Sequence, residues 1–278
     1  MSIITCRDKI LDTNNKTLVM GILNVTPDSF SDGGVNFAAQ DAINNAVAMI
    51  EAGVDIIDVG GESTRPGFEQ ISDEEEINRI VPVISYLSEN TDVVISVDTY
   101  KPAVAEAALE AGAHIINDIE ALHAPDMASV IAKYNAGAVL MYNARLYPCD
   151  EESNVADYAR EVLSGTVAKA LDAGISGSSI ILDPGIGFGT TRPQDAQLIR
   201  ELDKLSLDGK YPVLLALSRK RLVAEVMGGE STPAQRDETS LGLGIAGVNN
   251  GACMLRVHNV DMTVKALKGY DFITRGEN

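Results

Sequence analysis

An internal repeat constrains this chain more than any other feature. Glu51-Ala52-Gly53-Val54-Asp55-Ile56-Ile57-Asp58 closely resembles Glu110-Ala111-Gly112-Ala113-His114-Ile115-Ile116-Asn117. Looser copies stand at Ala136-Gly137, Ala173-Gly174 and Asn250-Gly251, each just ahead of an apolar run. A glycine after a helical stretch can take the left-handed conformation that ends a helix, and here a strand follows at once. Eight short apolar runs recur, at residues 18–23, 56–59, 93–97, 115–116, 138–141, 179–182, 213–217 and 254–257. Each has the length and continuous apolarity of a strand buried on both faces. Helical spacing lies between them, as in Ala42, Ala46, Met49 and Ile50, and again in Val104, Ala107, Ala108 and Ala111. Repeated helix-to-strand joints predict a parallel α/β sheet, and eight of them predict closure into a (β/α)8 TIM barrel. An open doubly wound sheet is the weaker fit, because no G-x-G-x-x-G follows the first strand. No Pro/Ser-rich linker or shift of composition divides residues 1–278, so a single domain is expected.

Charge and cysteine usage narrow the function. A net charge of −18 speaks against nucleic acid and anionic membranes as partners. Cys6, Cys149 and Cys253 form no C-x-x-C pair, which fits a reducing cytoplasm and neither a disulfide framework nor a zinc site. Three histidines are too few for a His-rich metal centre. There is no signal-peptide pattern, and no apolar run of the roughly 18–20 residues that a membrane span needs. A cytoplasmic protein acting on small molecules is expected.

After each predicted strand stands a polar residue: Asn24, Asp58, Asp98, Asn117, Asn143, Asp183, Ser218 with Lys220, and Arg256 with His258. One such residue alone is most simply a turn former or helix cap. Eight on the rim of one barrel can surround a single ligand. Asp98, Asn117 and Asp183 together offer acceptors and donors to a planar heterocycle with an amidine-like edge. Asp183 opens a loop, Asp183-Pro184-Gly185-Ile186-Gly187-Phe188-Gly189, in which proline stops the strand and glycines turn around one aromatic. Ser218-Arg219-Lys220-Arg221 is the one dense basic cluster of an acidic chain. Arg256 and His258 share a strand face. With Thr64 and Arg65 of the loop at residues 60–67 they make a set of cations and hydroxyls suited to a pyrophosphate. The loop at residues 24–34 is long and rich in Gly, Pro, Asp and Ser, as mobile covers over sites often are. Asn24 at its start is an oxygen ligand of the kind Mg²⁺ accepts beside phosphate and water.

In these stretches the chain resembles the dihydropteroate synthase family over nearly its whole length. The matching segments are residues 21–34 and 60–67, Ser96-Val97-Asp98-Thr99 with Lys101-Pro102, Ile115-Ile116-Asn117-Asp118, residues 183–189, Ser218-Arg219-Lys220 and Arg256-Val257-His258. The resemblance implies a transferase of folate biosynthesis and a sulfonamide target. Such an enzyme joins p-aminobenzoate to (7,8-dihydropterin-6-yl)methyl diphosphate, giving 7,8-dihydropteroate and pyrophosphate. It implies that Asp98, Asn117, Asp183 and Lys220 hold the pterin, with Asp98, Asp183 and Lys220 catalytic. Asn24, Arg256 and His258 would meet the diphosphate, with Mg²⁺ at Asn24. Thr64, Arg65, Phe188, Ser218 and Arg221 would serve the remaining substrate contacts, and the protein would be a homodimer.

The chain departs from the family pattern at four places. Around Ser218-Arg219-Lys220, Ala216 and Leu217 precede where Gly is usual and Arg221 follows where a small hydroxyl is usual; Tyr142 stands where His follows Met, Thr190 where Lys is common, and Asn259 where Asp is usual. Two alternatives share the barrel: a pterin-dependent methyltransferase, and a non-catalytic pterin-binding paralogue. The Ser-Thr-Arg-Pro loop and the Arg-x-His strand speak against the first. Arg221 and Tyr142 are what speak for the second.

Overall fold

The structure, a computed structural model, describes residues 3–25, 34–62, 70–150 and 152–276. The chain starts with a hairpin of β1 (Ile3–Cys6) and β2 (Lys9–Asp12). Eight parallel strands follow: β3 (Leu18–Asn24), β4 (Ile56–Gly60), β5 (Val94–Asp98), β6 (Ile115–Asp118), β7 (Gly137–Met141), β8 (Ile180–Asp183), β9 (Leu214–Leu215) and β10 (Met254–Val257). Around the sheet the order is β8-β7-β6-β5-β4-β3-β10-β9. A parallel bridge between Leu182 and Val213 brings its two ends together, and the Leu182 N–H donates to the Pro212 carbonyl at 2.9 Å. All eight expected strands are present. The seventh is shorter than the apolar run at residues 213–217 suggests.

The helices are α1 (Gly34–Glu51), α2 (Asp73–Asn90), α3 (Pro102–Glu110), α4 (Met127–Lys133), α5 (Val155–Asp172), α6 (Arg192–Arg200), α7 (Arg221–Val226), α8 (Asp237–Asn249) and α9 (Val260–Arg275). Local chemistry explains their starts. The Ser72 hydroxyl accepts from the Glu75 N–H before four acidic residues of α2, which suit the positive end of the helix dipole. Thr191 and Gln194 form a reciprocal capping box at α6. The helix stops of the repeat also hold: Gly53, Gly112, Gly174 and Gly251 all have positive φ, from 93° to 112°. At Ala136-Gly137 the expectation needs correction. There Asn135 takes the left-handed turn with φ 53°, and Gly137 already belongs to β7.

Strand alternation divides the core into two layers. Val19, Leu23, Ile57, Val59, Ile95, Val97, Ile116, Leu140 and Leu182 face outward to the helices in one continuous apolar layer. Leu18, Met20, Ile56, Val94, Ile115, Val139, Ile181, Leu214 and Met254 fill the barrel interior, and Ile4, Cys6 and Leu11 of the hairpin close its N-terminal end. That hairpin was not foreseen. Its strands are four residues each and one side is in solvent, with Ile10 70 % exposed, so no continuous apolar run marks it. Among the described residues, no helix is long and apolar enough to cross a membrane.

Candidate active site

The inward parity that fills the barrel floor with aliphatic side chains carries on up each strand and becomes polar at the C-terminal end. Ile56 is followed on the same face by Asp58, Val94 by Ser96 and Asp98, Ile115 by Asn117, Ile181 by Asp183, and Met254 by Arg256. Register sets Asp58 opposite Ser96, and Asp98 opposite Asn117. Residues as much as 198 positions apart in sequence thus meet in one place.

The centre of the site is an ionic chain. Arg256 donates from Nε to Asp58 Oδ2 at 2.6 Å and from Nη2 to Asp98 Oδ2 at 2.7 Å. The same Asp58 oxygen accepts from Asn117 Nδ2 at 3.1 Å. Burial pushes the Asp98 carboxyl up to about 7; Arg256 opposes this and Asp58 adds to it. Burial alone would weaken the Arg256 cation, but Asp58 and Asp98 outweigh it and keep the guanidinium protonated. Asp58 was legible as a strand tip, yet nothing in the sequence showed that it would be the residue to tie Arg256 to Asn117.

Across the site, Asp183 Oδ1 accepts from the Gly185 N–H at 2.7 Å. Burial raises its carboxyl too, against the pull of Lys220 and of that N–H. Lys220 donates to the Ile186 carbonyl at 2.8 Å and stands 4.7 Å from the centre of the Phe188 ring, with the Arg145 guanidinium 5.4 Å from the same ring. Burial lowers Lys220 to about 8, with Asp183 as the main opposing influence. The loop geometry demands its glycines. At Gly185, φ is +70° and a Cβ would sit 1.7 Å from the Tyr142 carbonyl oxygen. Asp195, unremarked in the sequence, organises the loop further: it accepts from the Gly187 N–H at 2.8 Å, from Thr190 Oγ1 at 2.5 Å and from Arg192 at 2.8 Å.

Ser218 and His258 come together at the rim, with Ser218 Oγ 3.1 Å from His258 Nδ1. Asn24 is exposed at the tip of β3. A Cβ at Gly60 would lie 3.7 Å from Asn24 Oδ1 and 3.8 Å from Asp98 Cβ, so this glycine leaves the space between them open. Of the basic cluster, Arg219 turns away and pairs with Asp237 at 2.6 Å, Lys220 enters the site, and Arg221 is exposed at the start of α7. Asn143 is a loop brace: it donates to the Ile119 carbonyl and accepts from the Arg145 N–H. Thr64, Arg65 and most of the loop after Asn24 lie outside the described residues.

Three of the four departures have a local account. Tyr142 is fully buried among the outward-facing residues, donating to the Tyr147 carbonyl at 3.0 Å. It is a packing residue rather than a lost ligand. Thr190 is buried on Asp195, where its hydroxyl serves the glycine loop. Asn259 caps α9 and donates to Asp237 at 3.1 Å, a contact that a second carboxylate would turn into repulsion. Arg221 has no hydrogen bond or ion pair among the described residues that would explain it.

A parallel barrel with acidic and basic side chains gathered at the C-terminal ends of its strands has the arrangement of a barrel enzyme's active site. Comparison with known proteins makes this specific. The family described as pterin binding enzyme matches residues 20–258. A dihydropteroate synthase of Staphylococcus haemolyticus is 48 % identical over 95 % of this chain and 97 % of its own length. A structure of Xanthomonas albilineans dihydropteroate synthase with 4-aminobenzoic acid superposes with a TM-score of 0.91 at 39 % identity, covering 98 % of this chain and 97 % of that one. Another of the same enzyme, in complex with 7,8-dihydropteroate, gives 0.88 at 37 % identity, with 98 % of each chain covered. The chain belongs to the pterin-binding enzyme family, and within it to the dihydropteroate synthases, which are transferases of folate synthesis.

Proposed function

We propose that this site joins (7,8-dihydropterin-6-yl)methyl diphosphate to p-aminobenzoate, with Asp98, Asn117, Asp183 and Lys220 around the pterin. The observation that carries this assignment is the pair of inward-facing carboxylates at the strand tips, Asp183 buried and Asp98 with its side chain 11 % exposed, with an amide and two cations between them. The C–O bond of the diphosphate ester breaks, its electron pair leaves on the diphosphate oxygen, and positive charge develops on the pterin methylene. Two carboxylates in a low-dielectric floor stabilise that charge without having to reorganise. The arylamine lone pair then forms the new C–N bond and the amine gives up a proton. No covalent bond to the enzyme is required.

His258, Ser218, Arg256 and Lys220 surround the end of the site where the leaving diphosphate is best accommodated. The Asn24 amide oxygen is suited to Mg²⁺ that takes its other ligands from phosphate and water; among the described residues there is no cluster of His, Cys and acids to hold a metal alone. Mg²⁺ bound there would supply positive charge toward the diphosphate oxygens. Phe188, braced between Lys220 and Arg145, offers a flat apolar wall to the arylamine ring. A homodimer fits the apolar end of α7, where Val226 and Met227 are 58 % and 40 % exposed. A cytoplasmic location fits three free cysteines.

Purified protein given both substrates should release pyrophosphate in proportion to dihydropteroate formed, and removal of Mg²⁺ by a chelator should stop it. Binding of both substrates without turnover would favour the non-catalytic paralogue. The pH profile of kcat/KM should be a narrow bell. Asp98 must be ionised, so activity falls as pH drops through about 7. Lys220 must be charged, so it falls again as pH rises through about 8. A flat profile from pH 6 to 9 would remove both residues from the reaction.

Arg221 is proposed to touch the acceptor's carboxylate, and so to affect sulfonamides that mimic this acceptor. Because Arg221 is solvated, one ion pair is worth only about 0–1 kcal/mol, so Arg221→Ser should change acceptor KM by no more than about fivefold. Sulfonamide inhibition should change with it, and pterin affinity should not. An unaltered acceptor KM and inhibition constant would mean that Arg221 only decorates the start of α7.

A further inference from the structure

Arg219 points away from the site, yet its backbone and its side chain are both held. Its φ is 61°, at the third position of a four-residue turn closed by the Lys220 N–H on the Leu217 carbonyl at 3.1 Å. Glycine or asparagine is usual at a left-handed turn position of that kind, so an arginine stays there only where its surroundings hold it. The start of α8 does so at three points. The Arg219 N–H donates to Ser240 Oγ at 3.0 Å, and Arg236 Nη1 donates to the Arg219 carbonyl at 3.1 Å. Arg219 Nε and Nη2 donate to the two carboxylate oxygens of Asp237 at 2.6 and 2.8 Å, the paired geometry that guanidinium and carboxylate favour. Arg236 is itself tied down, with Nε on Ser231 Oγ at 2.9 Å and Nη2 on the Ser231 carbonyl at 2.7 Å.

The residues on either side of Arg219 are those that enter the site. Ser218 Oγ lies 3.1 Å from His258 Nδ1 and accepts from the His258 N–H at 3.3 Å, while Lys220 reaches the Ile186 carbonyl. Asp237, 8 % exposed, is a shared anchor: its Oδ2 also accepts from Asn259 Nδ2 at 3.1 Å, and Asn259 follows His258 and caps α9. One carboxylate thus ties the turn after β9 to the turn after β10. The amide of Asn259 makes this possible, because an ionised aspartate there would only accept. Burial works to raise the Asp237 carboxyl, but the hydrogen bonds from Arg219 and Asn259 outweigh it and hold it below the ordinary range. We propose that Arg219 is a positioning residue: locked to Asp237, and through it to Asn259, it fixes Ser218 and Lys220 relative to His258. This rests on the substrate assignment above, in which Lys220 lies beside the pterin and His258 meets the diphosphate. The ester bond that breaks lies between those two parts, so an error in their spacing acts on bond cleavage more than on the binding of either part.

Steady-state kinetics of Arg219→Asn, Asp237→Asn and the double variant provide the test, with calorimetry on 6-hydroxymethylpterin beside them. Asparagine takes the left-handed conformation readily, so Arg219→Asn keeps the turn and removes only the guanidinium. Asp237→Asn keeps the shape of the anchor and removes its charge. Each single variant should lower kcat by about 10–100-fold, with both KM values within about twofold of the wild type. Affinity for 6-hydroxymethylpterin should change little, because Lys220 keeps its bond to the Ile186 carbonyl. The double variant should lose no more than one single variant does, since both break the same pair. A raised KM for one substrate with kcat retained in Arg219→Asn would overturn the proposal by placing the guanidinium on that substrate. Losses that multiply in the double variant would overturn it by showing that the two residues act separately. A lower melting temperature with kcat retained would reduce the pair to a structural brace. Should Asp237→Asn not fold, Arg219→Lys decides in its place: lysine keeps the charge but not the fork, so its kcat should fall between wild type and Arg219→Asn, and a wild-type kcat would overturn the proposal. A wild type without turnover would sink the proposed function and the role of Arg219 with it; an active wild type with undiminished variants would overturn that role alone.

Discussion

Lys101→Met is expected to lower the stability of the protein by about 3–5 kcal/mol, the loss typical when one partner of a buried ion pair is removed. Lys101 is 6 % exposed, and all three of its ammonium hydrogens are engaged: to Glu62 Oε2, Glu76 Oε2 and the Ile71 carbonyl, each at 2.8 Å. Glu62 and Glu76 are also buried, at 7 % and 1 % exposed. The two carboxylates respond differently. At Glu62, burial works to raise the carboxyl, but donors from Lys101, Tyr100 and the Ile71 N–H outweigh it and hold it below the ordinary range. At Glu76, burial wins over Lys101 and the carboxyl is raised. Methionine matches the length of the lysine but leaves two buried acids with no cation. Denaturant unfolding measures the loss, and Lys101→Met with Glu76→Gln should recover part of it, since one of the stranded charges is then gone. A loss under about 1 kcal/mol in the single variant would show that water reaches the cluster and screens it. The effect should carry into function, because Glu62 and Ile71 sit on either side of the loop with Thr64 and Arg65, and Lys101 ties these two positions together.

How much of this was legible depended on whether the signal was local. The repeat Glu51–Asp58 and its copy gave the helix stops and the strand starts because each is a short-range backbone requirement: positive φ, then extended chain. Parity then carried the strand tips inward. Asp98, Asn117, Asp183 and Arg256 could be placed on the rim from spacing alone, since a strand that is aliphatic on its inner face presents its next inner residue to the same cavity. What spacing could not supply was partner choice. Nothing in the string distinguishes Asp58, which binds Arg256, from Asn143, which braces two loops; both follow an apolar run. The hairpin at residues 3–12 was missed for a related reason: only half of each short strand is buried, and what it buries against is the end of a barrel assembled from the rest of the chain. Tyr142 shows the converse. Its departure from the family pattern counted toward a non-catalytic paralogue, but it is one residue out of phase with the inner face and therefore belongs to the outer layer.

Asp183→Asn should reduce kcat/KM by about 10²–10³-fold while leaving the fold intact. The substitution keeps an acceptor where Asp183 Oδ1 takes the Gly185 N–H, so the strand-to-loop turn retains its bond. It keeps the volume of a fully enclosed side chain. What it removes is one negative charge from a buried floor, at the position proposed above to face the pterin methylene as it becomes positive. Burial raises the Asp183 carboxyl, and Lys220 is the main opposing influence. The substitution also leaves Lys220, already lowered to about 8 by burial, without the acid that most opposes that lowering. The alkaline limb of the pH profile should therefore move down in Asp183→Asn, as the lysine loses its proton at lower pH. Three measurements separate the readings. Thermal unfolding should stay close to the wild type, calorimetry with a pterin should show weaker binding, and kcat should fall further than binding does, because stabilisation of the developing cation is lost on top of the hydrogen bond. Equal losses in binding and in kcat/KM would confine Asp183 to holding the ring. Unchanged pterin affinity with unchanged turnover would remove it from the site and leave the cation to Asp98 alone.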